Sequence, residues 1–411
     1  MGEKKCGLLG EKLSHSFSPQ IHRLLADYEY SLFPTPSEKV EEFITKGDWY
    51  GINVTVPYKE KVIPYLDCIS PEAKKIGAVN TVVRDKDNRL CGYNTDFYGF
   101  SYLVDFCGFD VKGKKCIILG SGGSSKTVFN VLQAKEAGEI VVISRRGENN
   151  YDNINIHSDA GIIVNTTPVG MYPENYQKLI ELRDFPQCRG VIDLIYNPEK
   201  TPLLLDAEKL GIKHSNGLLM LVAQAKAASE IFTGEKISDT AIHTILSGLR
   251  REMLNVVLVG MAGCGKSTVG KILAEKTNRE FLDTDDIISQ NGKTPAEIIT
   301  TKGEAEFRKI ETEVVRQTGK QRGKIIATGG GVVTVKENYP PLHQNGIIIF
   351  INRSPKLMTS ENRPLSEKYG VENLYNSRLP MYREFCDRET DGDKTPQEVA
   401  QDILDILKTI M

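Results

Sequence analysis

Two glycine-rich turns carry most of the chemistry this chain can be expected to do. The run Gly260-Met261-Ala262-Gly263-Cys264-Gly265-Lys266-Ser267 follows the apolar stretch Val256–Val259 and precedes helix-forming sequence, Thr268–Lys276. In a loop of this spacing, free backbone N–H groups cradle phosphates, the lysine reaches the terminal ones and the serine hydroxyl takes magnesium. Gly260, Gly263, Gly265, Lys266, Ser267 and Thr268 are therefore expected around a nucleoside triphosphate, with Ser267 on the metal. The second turn, Gly120-Ser121-Gly122-Gly123-Ser124-Ser125, follows the apolar run Cys116–Leu119. Here the first glycine allows a tight turn, the second admits a pyrophosphate to the backbone, and a small third residue lets the next helix pack. One turn implies phosphoryl transfer and the other implies hydride transfer.

Residues near each turn add to both readings. After the next strand candidate, Ser144-Arg145-Arg146 places guanidinium groups where an NAD site carries a carboxylate for the ribose hydroxyl. A guanidinium suits a 2′-phosphate, which favours NADP; two solvated surface arginines are the alternative. Polar clusters at strand ends suit a small polyhydroxy acid, although each alone also reads as turn capping. They are Ser14-His15-Ser16-Phe17-Ser18, Asn53-Val54-Thr55-Val56-Pro57-Tyr58-Lys59, Gly77-Ala78-Val79-Asn80-Thr81 and Asn94-Thr95-Asp96. In the second half, Phe281-Leu282-Asp283-Thr284-Asp285 ends an apolar stretch. Two carboxylates two residues apart on extended chain face the same side. One can hold magnesium while the other receives an acceptor hydroxyl; alternatively the pair opens the next helix as a cap.

These groups must be positioned by alternating elements. Strand candidates at Cys6–Leu9, Gly51–Val56, Cys116–Leu119, Ile140–Ile143, Ile162–Asn165 and Val191–Leu194 alternate with helical stretches such as Leu218–Phe232. That rhythm predicts α/β domains with mostly parallel sheets. It restarts at Val256–Val259, after a helix over Thr240–Met253 and with no Pro/Gly/Ser-rich spacer. Gly147–Asp159 is short, Asn-rich and poor helix material, so a crossover helix is expected to be missing or reduced there.

At 411 residues the chain is long for one core, and two or three domains are expected. With 40% hydrophobic and 26% charged residues and a net charge of −2, nothing points to nucleic acid or a membrane surface as a partner. The first twenty residues lack the apolar core of a signal peptide, and no apolar run is long enough to span a bilayer. The eight cysteines are scattered singly, which predicts reduced thiols in a cytoplasmic protein.

The first half resembles shikimate dehydrogenase over roughly residues 5–250. The resemblance rests on Ser16/Ser18, the N-V-T-V-P-Y-K run, G-A-V-N-T, N-T-D and Gly217-Leu218-Leu219-Met220-Leu221-Val222-Ala223-Gln224, occurring in that order. It implies that Ser16 and Ser18 bind the substrate carboxylate, that Thr55, Asn80, Tyr196 and Gln224 surround the ring hydroxyls, and that Lys59 and Asp96 form the catalytic pair. A ketone needs a proton donor as hydride arrives, and a lysine held by an aspartate supplies one; clamping of a hydroxyl is its alternative role. The implied cofactor residues are Gly120, Gly122, Gly123, Ser124, Ser144, Arg145, Arg146 and Gly217. The chain departs from the family at 144–147, which bears on NADPH against NADH.

The second half resembles shikimate kinase over residues 255–411, through the phosphate loop, Asp283/Asp285, Phe307-Arg308, Gly329-Gly330-Gly331, Arg363-Pro364-Leu365 and Arg378. The resemblance implies that Asp285 deprotonates the acceptor hydroxyl and Asp283 assists magnesium. Arg308 and Arg378 hold a carboxylate, Gly330 and Gly331 approach the ring, and Arg363 closes over ATP with a lid. The lid approach Met358–Asn362 lacks the arginine expected before it, and Lys394 stands where arginine is common. Together the resemblances imply a two-part dehydrogenase, with a substrate domain at 1–98 completed by 217–250 and a Rossmann-like NADP domain at 99–216. A P-loop kinase domain at 255–411 follows. The expected activities are reduction of 3-dehydroshikimate to shikimate with NADPH, then phosphorylation of shikimate with ATP and Mg²⁺. Two rival readings are a dehydrogenase with an ATP-sensing, non-catalytic domain, and a quinate-type dehydrogenase fused to another small-molecule kinase.

Overall fold

A computed structural model describes residues 5–13, 16–290, 292–358 and 363–410. The chain divides into two compact units, Met1–Tyr196 with Leu203–Leu246, and Asn197–Pro202 with Ser247–Met411.

The first unit holds two sheets. Strands β1 (Lys5–Gly10), β2 (Glu29–Pro34), β3 (Gly51–Val54), β4 (Cys68–Ile69), β5 (Thr81–Arg84) and β6 (Leu90–Tyr93) form a mixed sheet in the order β2-β1-β3-β5-β6-β4. Only β5 runs against its neighbours, pairing antiparallel with β3 and β6. Strands β7 (Lys115–Leu119), β8 (Glu139–Ile143), β9 (Ile162–Asn165), β10 (Gly190–Asp193) and β11 (Lys213–Asn216) form a parallel sheet in the order β11-β10-β9-β7-β8. Its inner strands are continuous apolar runs, as a parallel sheet covered on both faces requires. The strand order reverses at β7, so the Gly120 turn opens at the crevice where such sheets take ligands.

Two helices run between these sheets. Thr95–Phe106 leaves the first sheet and Leu218–Thr233 returns after β11, and the pair packs tightly. Gly99 permits that approach: a Cβ there would lie 2.6 Å from the Met220 carbonyl oxygen. The expected loss of a crossover helix holds, because only a single 3-10 turn, Ile154–His157, lies between β8 and β9. Asparagine side chains organise that stretch locally; Asn153 Oδ1 accepts from the Asn150 N–H at 2.8 Å.

The expectation of eight reduced thiols is corrected at one pair. Cys68 and Cys91 are joined by a disulfide, while six cysteines stay free. The reason is tertiary: β4 pairs with β6 so that Cys68 faces Cys91 in register, at a Cα separation of 4.7 Å. Cysteines 23 positions apart gave no such signal along the chain.

The second unit is built on one parallel sheet. Strands β12 (Asn255–Val259), β13 (Phe281–Asp283), β14 (Ile325–Ala327), β15 (Gly346–Asn352) and β16 (Arg388–Asp391) lie in the order β13-β14-β12-β15-β16. Every residue of β12 is buried, with Val256 and Leu258 in one apolar cluster and Val257 and Val259 in another on the opposite face. No helix among the described residues is long and apolar enough to cross a membrane.

Candidate active sites

In the first unit, the ends of β1 and β3 and the N-terminal parts of four helices surround a cavity of about 230 Å³. Ser16, Ser18, Thr55, Lys59, Asn80, Asp96, Ser124, Tyr196, Gly217 and Gln224 all line it, so residues spread over more than two hundred positions converge. Lys59 Nζ donates to Asp96 Oδ2 at 2.6 Å, and the two side chains are only 15% and 10% exposed. The N-T-D motif explains the placement. Asn94 caps the helix Thr95–Phe106 by accepting from the Phe97 N–H, which sets Asp96 in the first turn and aims it at Lys59.

Asn80 is fixed from both sides. Its Oδ1 accepts from the Thr95 N–H at 2.7 Å, and its Nδ2 donates to Thr95 Oγ1 at 3.0 Å and Gln224 Oε1 at 3.5 Å. Behind it runs a buried chain that sequence reasoning did not assign: Tyr30 OH donates to Asn53 Oδ1, Asn53 Nδ2 to Thr81 Oγ1, and Thr81 Oγ1 meets Thr95 Oγ1 at 3.1 Å. Asn53 and Thr81 were visible as polar residues in apolar runs. Their partnership depends on the antiparallel register Asn53↔Thr81.

Gly120, Gly122 and Gly123 turn β7 into the helix Gly123–Ala134, whose N-cap Gly122 offers no side-chain cap. The first-turn N–H groups suit a pyrophosphate, and a Cβ at Gly123 would lie 4.0 Å from Lys59 Cδ, beside the Lys59–Asp96 pair. Ser144 follows β8 in a turn closed by its N–H on the Asn149 carbonyl, with Arg145 and Arg146 exposed. Both arginines therefore stand just past the C-terminal end of β8, the strand paired with β7.

In the second unit a larger cavity, about 610 Å³, is lined by Gly263, Gly265, Lys266, Ser267, Thr268, Asp283, Asp285, Arg308, Gly330, Gly331, Arg363 and Arg378. Gly260 opens the loop beneath it. Gly260, Gly263 and Gly265 have φ of +150°, +87° and +101°, a wrapped path that side chains resist. Lys266 is buried and donates to the carbonyls of Gly260 and Met261 at 2.8 and 2.9 Å.

The extended-chain reading of Asp283 and Asp285 is corrected. Asp283 is the N-cap of the helix Thr284–Ser289, and its Oδ1 accepts from the Asp285 N–H at 3.0 Å. The capping alternative describes the backbone, yet both carboxylates still reach the cavity, because the strand-to-helix turn swings Asp285 inward. Ser267 Oγ donates to Asp283 Oδ2 at 2.6 Å, a hydroxyl and carboxylate paired as a magnesium site needs. Asp285 Oδ1 is buried with no hydrogen-bond partner among the described residues. Burial pushes that carboxyl up to about 6; the charge of Asp283 adds to the rise and that of Lys266 opposes it.

Arg308 and Arg378 approach the same end of the cavity. Arg308 packs directly on Gly331, and Arg378 Nη1 donates to the Gly330 carbonyl at 3.1 Å. Sequence reasoning missed Glu311, one turn beyond Arg308 on the helix Glu304–Gly319. Its side chain is fully buried and accepts from Arg308 Nη1 at 2.7 Å. The F-R-x-x-E spacing was the available signal, since i and i+3 share a helix face. Burial raises the Glu311 pKa and Arg308 opposes the rise. Glu311→Gln is therefore expected to lower the unfolding free energy of this unit by about 3 kcal/mol, because a buried guanidinium loses its closest carboxylate. Chemical denaturation monitored with nucleotide absent measures it.

Comparisons with known proteins divide along the same two units. The model of the shikimate dehydrogenase substrate binding domain matches residues 8–82, and that of shikimate kinase matches residues 262–408. The shikimate dehydrogenase (NADP(+)) of Clostridium perfringens (strain SM101 / Type A) is 37% identical over 269 residues, covering 60% of this chain and 98% of its own. Among solved structures, a chorismate mutase/shikimate 5-dehydrogenase fusion protein from Clostridium acetobutylicum superposes with a TM-score of 0.58 at 35% identity, covering 61% of this chain and 98% of its own. Shikimate dehydrogenase 1 from Peptoclostridium difficile gives 0.56 at 38%, covering 60% and 97%.

Proposed function

The chain belongs to the shikimate dehydrogenase family and carries a shikimate kinase domain, and from that premise we propose that one polypeptide performs two consecutive steps. The first reduces 3-dehydroshikimate to shikimate with NADPH; the second phosphorylates shikimate with ATP. The observation that carries the reading is the completeness of both sites. The Lys59–Asp96 pair closes one cavity at 2.6 Å, and the phosphate loop, Asp283, Asp285, Arg308 and Arg378 line the other.

In the reductase site, NADPH supplies hydride when bound. Ser16 and Ser18 take the substrate carboxylate, while Thr55, Asn80, Tyr196 and Gln224 fix the ring hydroxyls. Lys59 gives a proton to the ketone oxygen as negative charge develops there, and Asp96 holds the ammonium in place through its hydrogen bond. Arg145 and Arg146 attract the 2′-phosphate, which gives the preference for NADPH over NADH.

In the kinase site, Lys266 and the loop N–H groups hold the phosphates; Ser267 and Asp283 would hold magnesium, which would supply charge neutralisation on the transferring group. Asp285 accepts the proton of the acceptor hydroxyl. Arg308 and Arg378 bind the acceptor carboxylate, and Arg363 stabilises charge on the phosphoryl group.

A single-pot reaction tests the proposal: purified protein, 3-dehydroshikimate, NADPH, ATP and Mg²⁺, followed by mass spectrometry. The expected result is shikimate 3-phosphate formed with NADP⁺ and ADP, and slower reduction when NADH replaces NADPH. Shikimate accumulating without phosphate would overturn the kinase half and leave a nucleotide-sensing domain.

A further inference from the structure

The phosphate loop is approached by two guanidinium groups, and the reading above uses one of them. The segment between β15 and the helix Pro364–Tyr369 has an arginine at each root, Arg353 just after the strand and Arg363 just before the helix. Both reach the loop, at different glycines. A Cβ at Gly263 would lie 2.6 Å from Arg363 Nη1, and one at Gly265 would lie 3.9 Å from Arg353 Nη1. Arg363 lines the cavity shared with the acceptor residues, whereas Arg353 is not among the residues lining it.

Arg353 is held there by its backbone. The neighbouring Ser354 N–H donates to Asp393 Oδ1 at 2.6 Å, and a Cβ at Gly392 would come within 3.1 Å of Arg353 Cβ. The side chain therefore leaves a tight junction between β15 and the loop after β16. Its Nε is buried with no hydrogen-bond partner among the described residues. A buried guanidinium nitrogen left unmatched costs free energy unless an anion or acceptor arrives.

We propose that Arg353 is a second nucleotide-binding cation, gripping the phosphates that stay with the nucleoside, while Arg363 serves the phosphoryl group that leaves. This rests on the kinase reading of the second unit and deepens it. The division follows from position: Arg363 lies at Gly263 and lines the cavity that holds Arg308 and Arg378, whereas Arg353 lies nearest Gly265 and is not among the residues lining that cavity. A binding residue of this kind lowers the Kd of product and substrate nucleotide alike.

The test uses the full chain with Arg353→Met, which keeps an apolar stem, and Arg353→Lys, which keeps the charge. Binding of N-methylanthraniloyl-ADP with Mg²⁺ is titrated without any acceptor, and shikimate phosphorylation is followed separately. For Arg353→Met the ADP Kd and the KM for ATP are expected to rise about tenfold or more, the loss of one charge-assisted contact. The kcat should stay within about threefold and the KM for shikimate should not move. Arg353→Lys should recover part of the ADP affinity, and it carries the test if the methionine variant lowers the melting temperature. Unchanged ADP affinity in the well-folded variants would overturn the assignment, as would a fall in kcat with unchanged nucleotide KM. A wild-type protein that binds ADP yet phosphorylates no shikimate would sink the kinase reading, while the titration would still decide Arg353.

Discussion

Lys59→Met is expected to lower the turnover number for ketone reduction by about 10²- to 10⁴-fold, the usual contribution of a positioned general acid, with a much smaller change in KM. Lys59 is the only ammonium lining its cavity among the described residues; one of its three donors is spent on Asp96, which leaves the others for a substrate oxygen. Methionine keeps the stem and removes both the proton and the charge that would meet the developing alkoxide. Asp96→Asn should fall in the same direction by less, since the amide still accepts from Lys59 but no longer balances its charge. Steady-state kinetics with NADPH measures both variants. A raised KM with intact turnover in Lys59→Met would reassign the lysine to clamping a hydroxyl, with water delivering the proton.

Lys266→Met should remove phosphoryl transfer by about 10²- to 10³-fold, the scale seen when one preorganised charge donor is deleted from a transition state. The side chain is buried, and its donors are turned into the loop, onto the carbonyls of Gly260 and Met261 and the sulfur of Cys264. An arriving phosphate therefore draws the ammonium off these acceptors and replaces them as its partner. Deleting it also strands two loop carbonyls at about 1–3 kcal/mol each, so a lowered melting temperature of the second unit should accompany the loss. Reduction of 3-dehydroshikimate should be unaffected, because every residue assigned to that step lies in the other unit. Coupled loss of both activities would contradict the independence of the two chemistries.

The phosphate loop could be read from a short stretch because its function is local. The same eight residues turn the chain, present the N–H groups and carry the lysine, so spacing alone specifies the site. The N-T-D motif was legible for the same reason, since capping by Asn94 determines where Asp96 sits in the first helical turn. Asp283 and Asp285 show the limit of that logic. Their identity was clear, but whether the chain stays extended or turns into a helix between them is decided by how β13 docks beside β14.

Sequence by itself determined the two chemistries, the alternating α/β rhythm and the residues that bear charge, because phosphate loops, caps and apolar periodicity are short-range patterns. Tertiary structure decided what depends on register and convergence. The Asn53–Thr81 pairing, the Cys68–Cys91 bond, the burial of Glu311 beneath Arg308 and the placement of Arg353 against Gly265 all join residues distant in sequence or set by packing. A one-residue shift of a strand would turn Asn53 or Cys91 to the opposite face, and no local pattern records that choice.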